Sequence, residues 1–163
     1  MNSKKIIWAP WRIGYILKIK RDKCFLCESL SSKKNKDYVL YKGKYNFVIL
    51  NIFPYNNGHL MVAPFRHIKD IEELEEKEYN ELFSLIQKSV KILKKVLKPD
   101  GFNIGVNIGK ISGAGLETHI HFHIVPRWQG DTNFMPIISD TKVIPQSLEQ
   151  LSKILKKEFK KGS

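Results

Sequence analysis

The stretch Thr118-His119-Ile120-His121-Phe122-His123-Ile124-Val125-Pro126 decides how this chain is read. Its alternation of histidine with Ile, Phe and Ile has the period of a strand, in which successive side chains point to opposite faces. A strand over 118–125 is therefore expected to bury Ile120, Phe122 and Ile124. It would set His119, His121 and His123 in a row on the other face, roughly 6.5–7 Å apart at the usual rise. A solitary histidine is more often packing than chemistry. Three on one face are not required by packing, because positive charge on one penalises the others, so the row is read as functional. A neutral imidazole serves as metal ligand, general base or nucleophile, and its neighbours can donate hydrogen bonds to an anion.

Outward from this strand, the other two histidines, His59 and His67, bracket the apolar run HLMVAPFRH. The glycine-rich GKISGAG at 109–115 matches no phosphate loop; it fits a flexible turn before the histidine strand, or a concave set of backbone amides facing an anion. No Gly-x-Ser-x-Gly, Walker A or Rossmann fingerprint competes. Further strands are expected at 38–41, 45–53, 59–63 and 102–108, with turns at Lys42-Gly43-Lys44 and Pro54-Tyr55-Asn56-Asn57-Gly58. Ile71, Leu74, Leu82, Phe83, Ile86, Val90, Leu93 and Leu97 keep mostly to spacings of three and four, which predicts one long helix over 68–97 capped by Asp70. Glutamates fill its first turns and lysines its last, complementing the macrodipole, and Pro99-Asp100-Gly101 stops it. A second amphipathic helix is expected over 147–159. Strands clustered in sequence, without strict alternation with helices, point to an antiparallel sheet with helices packed on it, an α+β fold.

A chain of 163 residues, 42% of them hydrophobic, supplies a core for one domain over 1–163. No run approaches a membrane span, and residues 1–12 carry no secretory h-region, so a cytoplasmic protein without a membrane partner is expected. The net charge of +12 suggests a nucleic-acid binder until it is divided along the chain. Residues 1–44 sum to +9 and 150–163 to +4, whereas 45–149, with all five histidines, sum to −1. The organisation expected is a basic N-terminal segment (1–44), a near-neutral catalytic core (45–149) and a basic C-terminal helix (147–163). The basic runs KIKRDK (18–23) and KKNK (33–36) lack interleaved aromatics and are read as solvated faces, so nucleic acid is not the expected partner.

Cys24-Phe25-Leu26-Cys27 has the two-residue gap of a zinc knuckle. A redox pair would need a thioredoxin-like strand and helix around it, which KIKRDK does not supply, and free thiols are the plain alternative. Two cysteines leave a tetrahedral site two ligands short.

The run His-x-His-x-His-x-x-Pro at 119–126, preceded by Asn51 and Gly58-His59, resembles the histidine triad (HIT) superfamily. The continuation PRWQGDTNFMP (126–136) and WAPWR (8–12) look like the bacterial and archaeal branch related to fragile-histidine-triad hydrolases and diadenosine tetraphosphate phosphorylases. The resemblance implies a five-stranded antiparallel sheet with one long helix and a C-terminal helix, paired in a homodimer. It makes His121 the nucleophile toward the α-phosphorus of a nucleotide substrate, with His119 and His123 completing the catalytic triad. It puts His123 and His59 on the phosphates, Asn51 on the ribose, Asn107 near the α-phosphate, and Arg127 or Lys110 at the leaving group. It nominates Cys24, Cys27, His67 and His119 as ligands of a Zn2+ ion. Leu116-Glu117-Thr118 stands where the fragile-type enzymes carry glutamine or serine, which leaves the leaving-group contacts open.

The expected activity is hydrolysis of dinucleoside polyphosphates, diadenosine tri- or tetraphosphate, through a nucleotidyl-histidine. Phosphorolysis of the same substrate and hydrolysis of nucleoside phosphoramidates are alternatives within the class. A basic zinc-bearing interaction module is the alternative from another class.

Overall fold

A computed structural model of the chain describes residues 24–31, 36–131 and 144–161. Trp8, Trp11, the 18–23 run, most of the 33–36 run and residues 132–136 lie outside them. The expected five strands are β1 (Val39–Lys42), β2 (Asn46–Leu50), β3 (Leu60–Pro64), β4 (Gly101–Val106) and β5 (Phe122–Arg127). They form one sheet in the order β1-β2-β3-β5-β4, every neighbour antiparallel. Three helices accompany it: α1 (Phe25–Ser31), α2 (Glu76–Leu97) and α3 (Leu148–Lys161). The α+β fold with one long helix and a C-terminal helix is thus the fold observed.

The central strands β2 and β3 are apolar almost throughout because both of their faces are covered. One face holds Val48, Leu50, Leu60, Val62, Ile120, Phe122 and Ile124 against Leu82, Ile86 and Leu93 of α2 and Leu151, Leu155 and Phe159 of α3. The other holds Phe47, Ile49, Met61 and Ala63 against Leu26 of α1 and Leu116. The alternation at 119–124 is thereby explained: its isoleucines and phenylalanine belong to the helix-covered face, and its histidines turn to the side where α1 lies.

The short helix α1 was not expected, β2 stops at Leu50 and not at 53, and two elements differ further. The helix begins at Glu76, not near 68, and Asp70 instead starts a single 3-10 turn, Ile71–Glu73. The carboxylates interrupt it: Glu73 accepts the N–H groups of Lys69 and Asp70, Glu78 accepts that of Glu75, and Leu74 between them is extended. Ile71 and Phe83, expected on the buried stripe, are exposed, whereas Glu78 is buried.

The histidine strand begins at Phe122, not Thr118. The β3–β5 register runs Leu60↔Ile124, Met61↔His123, Val62↔Phe122, and its continuation would set Ile120 opposite Pro64. Proline has no N–H to give a ladder. The Ile120 N–H bonds the Ile68 carbonyl instead, at 2.7 Å. His119 and His121 therefore sit on an extended lead-in tied to the loop after β3.

Two further contacts fix the sheet to α2. The Glu81 carboxylate accepts the N–H groups of Lys44, Tyr45 and Asn46 at 2.6, 2.7 and 2.7 Å, and the Asn46 amide at 2.9 Å, closing the β1–β2 turn. Gly58 has φ +74 and faces Leu97, Leu93 and Pro126, so a side chain there would be strained and would collide with Leu97.

Candidate functional site

The expected row of three imidazoles divides into two groups. The Ile120–Ile68 bond places the residues just before each, His119 and His67, side by side, with ring centroids 5.0 Å apart. Arg66 holds the His67 loop in place through a two-pronged bond to the buried Glu78 carboxylate, both contacts 2.7 Å. The eleven residues between Arg66 and Glu78 carry no sequence signal of this pairing. Cys24 and Cys27, at the start of α1, complete the group. The four ligand atoms of Cys24, Cys27, His67 and His119 all lie within 4.8 Å of one another.

Their spacing suits a metal. Cys24 Sγ and Cys27 Sγ are 3.3 and 3.5 Å from His119 Nδ1, and Cys27 Sγ is 3.4 Å from His67 Nδ1. A tetrahedral ion with bonds of about 2.3 Å to sulfur and 2.0–2.1 Å to nitrogen gives an S···N edge of about 3.5 Å. The orientation suits it as well. His119 Nε2 donates to the Pro64 carbonyl at 2.9 Å, which leaves the lone pair on Nδ1, aimed at the two sulfurs. Burial, opposed by that bond, holds the imidazole down at about 4, so it is a neutral ligand. Burial also pushes the Cys24 thiol up to about 11, a cost that a cation beside the thiolate offsets. The residues present therefore fit Zn2+.

The second group is His121, His123 and His59. His121 and His123 meet edge to face at 4.8 Å between centroids, closer than their strand spacing because their rings tilt together. His121 Nδ1 lies 2.8 Å from the carbonyl of His119, which can only accept. The proton is therefore on Nδ1 and the lone pair on Nε2, the form in which an imidazole attacks phosphorus. Burial, against the pull of that bond, lowers the His121 pKa and keeps the ring neutral at pH 7.

His59 is fully buried behind His123, with Nε2 2.9 Å from His123 Nδ1. Asn51 is buried too, and its carboxamide turns inward, Oδ1 accepting the Phe53 N–H and Nδ2 lying 3.2 Å from His59 Nδ1. Asn107 follows β4, whose last residue Val106 pairs with Phe122, so the backbone brings it beside the His121 lead-in.

Neither candidate for the leaving group is held at the imidazoles. The Arg127 guanidinium binds both Asp131 oxygens, at 2.6 and 3.0 Å, and the Asn103 side chain, four residues along β5 from His123. Lys110 lies exposed on the 3-10 turn Lys110–Ser112. Leu116 is buried against α1, so the departure noted before the triad serves the core. Trp128 is half-buried, and its backbone N–H donates to the Asp131 carboxylate. Tyr55 was missed by sequence reasoning: its ring packs on His59 and His123 at 4.7 and 5.8 Å, and a turn residue carries no signal of that.

The fold and the site define a class of protein: an α+β chain that presents imidazoles from one sheet face beside a two-cysteine, two-histidine cluster. The family model of the HIT domain matches residues 32–130. AP-4-A phosphorylase of Mycobacterium tuberculosis is 38% identical over 162 residues, 94% of this chain and 83% of its own. The asymmetrical bis(5'-nucleosyl)-tetraphosphatase of Schizosaccharomyces pombe is 31% identical over 93 residues, 57% of this chain and 50% of its own. A zinc-bound histidine triad family protein from Mycobacterium smegmatis has the same fold, with TM-score 0.66 and 23% identity over 85% of this chain and 94% of that one. The chain belongs to the HIT domain family and is an enzyme. Among the described residues no helix is long and apolar enough to cross a membrane.

Proposed function

We propose that this enzyme cleaves dinucleoside polyphosphates, with diadenosine tetraphosphate as the working substrate, through a covalent nucleotidyl-His121. The observation that carries this reading is the bond from His121 Nδ1–H to the His119 carbonyl, which commits the lone pair to Nε2. In the first step Nε2 bonds the α-phosphorus and the bond to the bridging oxygen breaks, releasing ATP. The imidazole keeps its Nδ1 proton, so the intermediate carries positive charge facing the His119 carbonyl. That charge makes the imidazole a good leaving group in the second step. His123 donates to the non-bridging oxygens, whose charge grows in the transition state. His59 supports the phosphate site from behind His123, Asn51 and Asn107 border the nucleoside and the α-phosphate, and His119 holds His121 through its carbonyl.

Hydrolysis was the first expectation for the second step. The likeness to a phosphorylase over 94% of the chain favours inorganic phosphate as acceptor, with ADP as product. Hydrolysis to AMP remains the second reading, supported by the likeness to a tetraphosphatase. Incubation of diadenosine tetraphosphate with and without phosphate separates them. ATP plus ADP only with phosphate supports phosphorolysis, ATP plus AMP supports hydrolysis, and no turnover in either sinks the reading.

The same proposal assigns Zn2+ to Cys24, Cys27, His67 and His119, where it would pin α1 to the lead-in of the catalytic strand. When bound, the ion supplies structural cross-linking, since all four protein ligands are used. The chain is taken as one domain over 1–163, working in the cytoplasm as a homodimer. β4 supports the dimer: among the described residues it pairs only with β5, and it leaves Ile104 half-exposed on an open edge.

A further inference from the structure

The second histidine group contains a one-way chain of hydrogen bonds that starts outside the triad. His59 Nδ1 receives the backbone N–H of Tyr55 at 3.0 Å and faces Asn51 Nδ2 at 3.2 Å. The Asn51 amide cannot be turned around, because its Oδ1 is fixed by the Phe53 N–H at 2.9 Å. With two donors aimed at Nδ1, the His59 proton is on Nε2. That proton points at His123 Nδ1, 2.9 Å away, which must accept, so the proton of neutral His123 is on its own Nε2. A backbone amide does not release its proton, so the order cannot be reversed by relay.

The Tyr55 ring lies over both imidazoles. Its centroid is 4.7 Å from that of His59 at 33° and 5.8 Å from that of His123 at 38°. Tyr55 is half-exposed, so the phenol is the outer wall of a pair whose inner member has no solvent contact. Off-parallel stacking at these distances is a favourable geometry for aromatic rings.

We propose that Tyr55 is a positioning residue for His123. Its amide, with Asn51, sets the tautomer of His59, and its ring holds His59 and His123 in line, so that His123 presents a fixed N–H donor at Nε2 to an anionic phosphoryl group. His123 is then a constant donor to oxygen and not a general base. The role in turnover rests on the reading under Proposed function, whereas the tautomer lock does not.

The test therefore has two arms. In the first, the histidine side chains of the full-length, ligand-free protein are labelled with 15N and their shifts read near pH 7. His59 and His123 are expected to be protonated at Nε2 alone; a proton at Nδ1 of His123, or a mixture, overturns the lock. In the second, Tyr55→Phe is expected to keep both the shifts and kcat. Tyr55→Ala and Tyr55→Leu are expected to give mixed tautomers at His123 and a kcat lower by ~tenfold or more with KM little changed, as for a misplaced catalytic group. Unchanged shifts and kcat in folded Tyr55→Leu, or a change in KM alone, overturn the positioning role. An enzyme that turns over no dinucleoside polyphosphate yet shows the predicted shifts sinks the substrate reading and leaves the lock standing.

Discussion

The carbonyl of His119 accepts the Nδ1–H of His121 at 2.8 Å, while the side chain of the same His119 points its own Nδ1 at Cys24 and Cys27. One residue thus joins the two-cysteine, two-histidine cluster to the His121 imidazole, side chain on one side and backbone on the other. Anything that moves His119 reorients the lone pair of His121.

His121→Asn is expected to abolish turnover of diadenosine tetraphosphate while nucleotide binding persists. Asparagine keeps a donor for the His119 carbonyl but has no second nitrogen to bond phosphorus. Wild-type protein quenched in acid-free conditions with radiolabelled substrate should carry nucleotide covalently, and the variant should carry none. Retained turnover in the variant would show that the nucleophile is another residue.

Elemental analysis of the purified protein is expected to give about one zinc per chain, lost in Cys24→Ser. The geometry predicts a stability loss on chelation, because a bound ion would tie α1 to the loop after β3 and to the lead-in of β5. Thermal unfolding with and without chelator reads this directly. A metal-free wild type with an unchanged melting temperature would count against the site.

Burial, and after it the neighbouring His121, hold the His123 imidazole down at about 4. In the unfolded chain a histidine titrates near 6.5. Between those values the unfolded chain binds a proton that the folded chain refuses. Stability from this group is therefore fully present above about pH 6.5 and falls as pH drops toward 4. Urea unfolding of wild type and His123→Gln from about pH 7.5 to about pH 4.5 should show the wild type losing more stability than the variant; parallel curves would contradict the shift.

Glu81→Ala removes the acceptor of three backbone N–H groups and of the Asn46 amide at the β1–β2 turn. Leaving partly buried donors unpaired is expected to cost about 2–4 kcal/mol in urea unfolding. The turn carries none of the His59, His121 and His123 group, so kcat of the folded fraction should hold. A loss under about 0.5 kcal/mol would place the anchor among ordinary surface contacts.

Much of the fold was legible because period is a local property. Ile120, Phe122 and Ile124 do face the helices, and the strand and helix order follows from hydrophobic spacing and turn residues. The errors came where other groups, near or far in sequence, compete for the backbone. The long helix lost its first turns to nearby glutamate carboxylates, and the histidine strand lost its first four residues because the register sets Ile120 opposite a proline in another strand.

The sequence by itself determined the alternating histidine face, the cysteine pair and the near-neutral core between basic ends, since each is a matter of residue type and spacing. The resemblance in the histidine run also nominates His119 to join the cysteines; only the tertiary structure decided that its carbonyl fixes the His121 tautomer, that His59 stands behind His123 with Tyr55 over both, and that Arg127 is held by Asp131. The reason is physical: spacing fixes which face a side chain takes, but the tautomer and partner of an imidazole depend on donors and acceptors that other segments bring within about 3 Å.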